Sequence, residues 1–91
     1  MNGLHVSIPL VLFVAGDAPR TTAAVENLQR ALIEFADRNF QLEVVNVFES
    51  AGRAIAHRVL VTPTLLAPGS SRRLVGDLSE PTQLRYFLQT I

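Results

Sequence analysis

The sequence contains no cysteine, no lysine and no tryptophan, and its formal charge is zero. Without cysteine there can be no disulfide, no thiolate metal site and no thiol redox step. All eight basic residues are arginine, with Arg72-Arg73 the one adjacent pair, and eight carboxylates balance them. A general nucleic-acid binder needs a basic excess to neutralise phosphates, so that class is not expected. His5 and His57 lie far apart in the chain, and both are expected at the surface rather than on a metal. No cofactor is expected. The longest apolar run, Ile8 to Ala15, falls far short of the ~20 residues that span a bilayer. No basic segment precedes it, so neither a signal peptide nor a membrane span is expected, and cytoplasm is the expected location. Repeats, linkers and low-complexity segments are missing as well.

What is present suits a folded protein. Hydrophobic residues make up 48% of the chain, too many for a disordered one. Ninety-one residues set the expectation of a single domain spanning 1–91, with folding removing roughly 60–65% of the unfolded chain's surface.

Met1 to Ser7 is weakly patterned. Ile8 to Ala15 reads as a strand buried on both faces, being short, β-branched and almost continuously apolar, with Pro9 tolerated only at its start. Asp17 is placed to cap a helix that has Pro19 in its first turn. From Pro19 to Arg38 the spacing is helical, with Val25, Leu28, Leu32, Phe35 and Ala36 on one stripe. Asn39-Phe40 closes it. Gln41 to Phe48 follows as a second strand carrying polar residues on both faces, which marks a sheet edge. Strand, five-turn helix and strand make a βαβ unit with a parallel pair.

In the second half Ser50 is placed to cap a short helix weakened by Gly52. Val59-Leu60-Val61 comes directly after, and its own preference is strand. Thr62-Pro63 marks the entry of a third strand, Thr64 to Ala67, because proline has no N–H to give a ladder. Pro68 to Ser71 is a turn and Arg72 to Val75 the hairpin partner. Gly76-Asp77 breaks the strand, and Ser79 is placed to cap a final helix with Leu84, Phe87, Leu88 and Ile91 on its apolar stripe. The order βαβαββα, with proline before the third strand, is the thioredoxin-like arrangement: an α/β fold with a four-stranded mixed sheet and helices on both faces. Most X–Pro bonds are trans, but in this fold the proline at that place is expected to be cis.

Three stretches together are similar to one family. Leu12-Phe-Val-Ala-Gly-Asp-Ala-Pro19, Val61-Thr-Pro-Thr-Leu65 and Arg72-Arg-Leu-Val-Gly-Asp-Leu-Ser79 resemble the KaiB family of circadian clock proteins, over about Leu10 to Leu88. The input domain of the sensor kinase SasA is similar too. The resemblance implies a non-enzymatic protein that binds the ring of a KaiC-type ATPase, recruits KaiA and competes with a SasA-type kinase. It also implies two folds: a monomeric thioredoxin-like one, and a βαββααβ packing that assembles into tetramers. The conflict at Val59-Leu60-Val61 lies in the half that repacks.

On that resemblance Arg58, Arg72 and Arg73 are the expected partner-binding residues, and Pro63, Gly76 and Asp77 the expected switch residues. From the residues alone, Arg72 and Arg73 read first as a solvated edge strand, Arg58 as a side chain packing its aliphatic stem, and the Gly76-Asp77 pair as a turn and helix approach. The chain departs from the family in stopping at Ile91 without an acidic tail, in a shortened Pro68-to-Ser71 turn, and in having Glu43 and Arg58 where lysine is frequent. These departures favour a monomer and leave room for a paralogue acting outside the clock. Two other readings stand beside it: a degenerate glutathione- or thiol-linked thioredoxin-fold protein, and an isolated sensor domain of a histidine kinase. The Gly16-to-Arg20 segment, where redox relatives keep their thiols, has none.

Overall fold

A computed structural model of the protein describes residues 6–91; the expectations for the first five residues, His5 among them, lie outside the described residues. Strand β1 (Ile8–Val14) is followed by helix α1 (Pro19–Glu34), a short 3₁₀ turn (Ala36–Arg38) and strand β2 (Phe40–Asn46). Helix α2 (Ala51–Ala56), the hairpin strands β3 (Thr64–Leu66) and β4 (Arg73–Val75), and helix α3 (Pro81–Thr90) complete the order. The strands form one sheet in the order β2-β1-β3-β4. β1 runs parallel to β2 and antiparallel to β3, which is antiparallel to β4. The expected mixed sheet and the edge position of β2 are both present.

Strand β1 is central because both of its faces are apolar. Side chains alternate across a strand, so Leu10, Leu12 and Val14 point to one side and Val11 and Phe13 to the other. The first side holds the larger core, where Ala24, Leu28 and Ala31 of α1 and Leu84, Phe87 and Leu88 of α3 pack with Leu65. The second holds a smaller core of Val11, Phe13, Val45, Leu66 and Ala54 of α2. The final helix buries the stripe expected of it. Arg38 fastens its end: the guanidinium donates to the main-chain oxygens of Leu88 (3.2 Å) and Ile91 (2.8 Å) and lies 5.3 Å from the Phe40 ring centre. A cation there satisfies carbonyls that a helix end leaves free.

Several boundaries differ from the expectation, each for a local reason. α1 ends at Glu34, and the chain turns out through Asn39 in the left-handed region (φ 54). Asp17 does not cap α1. Ala18 holds that position, its carbonyl accepting from Thr21 and Thr22, while Pro19 opens the helix. Ser50 stands at the N-cap of α2 without a side-chain bond. The cap of α3 is Glu80, whose carboxylate accepts from the Thr82 amide, because Ser79 is taken up in a turn on Asp77. β2 stops at Asn46, two residues before Phe48, and β3 and β4 are each one residue shorter than expected. Val59 to Val61 forms no strand; Val59 packs on the smaller core while Leu60 is 92% exposed. The Thr62-Pro63 peptide bond is cis.

Candidate functional site

The face of the sheet covered by α2 is only partly filled, because α2 has just six residues. A shallow apolar groove remains beside it, lined by Val47, Phe48, Ala54, Val59, Leu60 and Val61. Phe48, Leu60 and Val61 are exposed at its rim. Ile55 on α2 and Val75 on β4 add exposed apolar side chains on the same side of the sheet. Single exposed apolar residues are ordinary, whereas a cluster of them beside a groove marks an interaction surface.

Two of the three expected binding arginines border this face. Arg73 points to the α2 side, as Leu74 next to it packs in the opposite core. Its guanidinium donates to the carbonyls of His57 (2.9 Å) and Arg58 (3.3 Å), tying β4 to the end of α2. Arg58 follows α2 in the left-handed region (φ 55) and is exposed. Among the described residues neither guanidinium has a carboxylate partner. Arg72 goes elsewhere. It lies over the Tyr86 and Phe87 rings of α3, 5.4 and 5.5 Å from their centres, and bonds the Thr90 hydroxyl. The structure therefore groups Arg58 with Arg73 and separates Arg72 from them.

His57 is half-buried rather than at the surface, its ring 5.8 Å from that of Phe13. Glu43, on the same face of the sheet, is neutralised by Arg53 of α2 through a two-pronged pair at 2.5 and 2.7 Å. Those hydrogen bonds hold the Glu43 carboxyl below its ordinary range.

Of the expected switch residues, Pro63 and Gly76 meet directly. The Gly76 amide donates to the Pro63 carbonyl at 2.8 Å, joining the cis corner to the end of the hairpin. Gly76 sits at φ +113, a conformation that suits only glycine. Beside it the Asp77 carboxylate accepts from the Ser79 amide at 3.1 Å, and its main-chain oxygen accepts from Asn27 of α1 at 2.9 Å. The Ser79 hydroxyl and amide hold the Asp77 carboxyl below its ordinary range, with Arg20 a smaller contributor. Among the described residues no group of three metal-ligating side chains occurs, and no helix is long and apolar enough to cross a membrane.

The sequence reading missed Phe48, Leu60 and Asn46. Phe48 falls at the end of the expected second strand and Leu60 inside the strand-preferring Val59-Leu60-Val61, so local preference places neither of them in solvent. The available signal was the asparagine itself, a residue that favours turns over strand interiors.

Comparison with known proteins places this geometry. The KaiB domain pattern matches residues 11–90. The circadian clock protein KaiB3 of Synechocystis sp. is 32% identical over 74 residues, covering 79% of this chain and 72% of that protein. The circadian clock oscillator protein KaiB of Nostoc sp. is 32% identical over 82 residues, covering 88% and 76%. Among solved structures, oxidised mitochondrial thioredoxin 3 of Saccharomyces cerevisiae superposes with a TM-score of 0.73 at 20% identity, over 91% of this chain and 77% of that one. At that identity the likeness concerns the fold alone, which is thioredoxin-like.

Proposed function

The chain belongs to the KaiB family, and from that membership we propose that it is a non-enzymatic, cytoplasmic clock or signalling protein acting as a monomer. It docks its α2-side face on a KaiC-type ATPase ring, excludes a SasA-type kinase from the same place, and cooperates there with KaiA. The observation that carries this reading is the exposed apolar groove of Phe48, Leu60 and Val61 beside Arg58 and Arg73. An apolar centre with a charged rim is the general anatomy of a protein-docking site. Arg72, held against α3 by aromatic rings, contributes to packing and not to docking.

Fold switching is part of the proposal. Val59 to Val61 has strand preference but forms no strand and keeps Leu60 in solvent, so a second packing can gain what this one leaves unused. Pro63, Gly76 and Asp77 form the pivot, since the Gly76-to-Pro63 bond and the bonds that Asp77 accepts from Ser79 and Asn27 would have to break for the second half to repack.

The test is a titration of fluorescently labelled protein with a KaiC-type ring, beside a glutathione titration. Saturable ring binding is expected, weakened at least about tenfold by Arg58→Glu with Arg73→Glu and unaffected by Arg72→Gln. Glutathione binding without ring binding overturns the proposal in favour of a degenerate thiol-linked role.

A further inference from the structure

Asn46 ends β2, and its side chain joins two loops. The carboxamide oxygen accepts from the Gly16 amide, 30 residues away, at 3.1 Å, and from the Phe48 amide at 3.0 Å. Two N–H donors on one atom identify it as the oxygen without ambiguity. The main-chain oxygen of the same residue accepts from Glu49 and Ser50, both at 3.0 Å. Asn46 therefore holds the turn after β1 and the whole entry to α2.

The result at Phe48 is specific. Gly16 lies at φ +59, and a Cβ built on it would come 3.4 Å from Cε2 of the Phe48 ring. The edge of the Phe48 ring therefore passes close to Gly16 while the residue stays 76% exposed at the rim of the groove. An exposed phenylalanine on an unconstrained loop would lose rotamer and backbone freedom on binding. One already pinned loses less, and that difference appears as affinity. Aromatic side chains, phenylalanine among them, are enriched at the cores of protein interfaces.

We infer that Asn46 is a positioning residue, its carboxamide oxygen locking the Gly16 and Phe48 turns together so that Phe48 is presented as the aromatic anchor of the docking face. This rests on the proposed docking of that face to a KaiC-type ring. Asn46 touches no partner itself; it acts through Phe48. The chemistry required is an acceptor at that position, so aspartate can replace it and an isosteric apolar residue cannot.

The experiment is a double-mutant cycle on ring affinity, read together with amide hydrogen exchange of the free protein. Asn46→Leu is expected to speed exchange at Gly16 and Phe48 and to weaken ring binding about tenfold, and Asn46→Asp to restore both. In a Phe48→Ala background, Asn46→Leu is expected to cause no further loss. Equal losses from Asn46→Leu with and without Phe48 overturn the inference, as does unchanged exchange at the two amides. Far-ultraviolet circular dichroism and the m-value of Asn46→Leu separate a lost pin from a lost fold. If Asn46→Leu does not fold, Asn46→Ala, which also removes the acceptor, takes its place: it must lower affinity with Phe48 present and have no effect without it. A wild-type protein that does not bind the ring overturns the functional proposal and the docking role, while the exchange of the two amides still decides whether the pin exists.

Discussion

Leu60 and Leu65 are the same residue five positions apart, on either side of the cis proline, and the same substitution should treat them oppositely. Leu65 is fully buried, paired with Leu12 of β1 and packed against α1 and α3. Leu65→Ala removes three carbons from that core, about 2.4 kcal/mol of transfer free energy at 0.8 per carbon. Incomplete collapse of the cavity raises the cost into a range of about 2–5 kcal/mol. A protein of this length has about 5–13 kcal/mol of stability in total, so at least about a seventh of it is lost. The melting temperature should fall by roughly 10–25 °C. Leu60 is 92% exposed. The same three carbons there contribute about 0.2 kcal/mol on the same scale, and Leu60→Ala should stay within about 0.5 kcal/mol of wild type. Equilibrium urea denaturation of both variants, with m-values compared to exclude a change in the unfolded state, provides the measurement. A loss above about 1.5 kcal/mol for Leu60→Ala would mean that Leu60 is packed, either here or in a second fold populated under the same conditions. The groove would then not be an open surface.

Two further outcomes follow from the same geometry. Gly76→Ala must hold a φ of +113 with its amide still bonded to Pro63, which should cost about 1–3 kcal/mol by urea denaturation although a Cβ would meet nothing nearer than 3.7 Å; an unchanged midpoint would show that the backbone relaxes there freely. For Glu43, the hydrogen bonds from Arg53 place the folded carboxyl below its ordinary value of 4.5. Such a pair stabilises the fold fully above about pH 5, where the unfolded group is also ionised, and loses that contribution as pH falls through the folded value. Stability measured from pH 7 to pH 3 should therefore fall less steeply in Glu43→Gln, by a small amount because both side chains are half in solvent; identical slopes would show that the pair does not couple to folding.

Most of the fold was legible because its signals are local. The continuous apolar run of β1 can only be a strand covered on both sides. The three-and-four spacing of α1 and α3 has a single buried face each, and the helix-length connection from β1 to β2 favours a parallel pair. The capping residues were less legible, since several side chains near each helix start could accept the same amides. Asp17 lost that place to the Ala18 carbonyl and Pro19, and Ser79 lost it to Glu80, one residue nearer the helix, whose carboxylate accepts from the Thr82 amide.

The site was legible only in part, for a reason of the same kind. Arg73 could be named from its motif and Arg58 from a family position where lysine is frequent, yet Arg72 beside Arg73 carried the same local signal. It took the alternation of β4 against the two layers to send one to the groove and the other onto the rings of α3. The residues by themselves determined the element order, the central strand, the absence of thiol chemistry and the corner at Pro63. Tertiary structure alone decided which apolar residues remain in solvent. Exposure depends on what lies opposite, and the six residues of α2 cover too little of the sheet to bury Phe48, Leu60 and Val61.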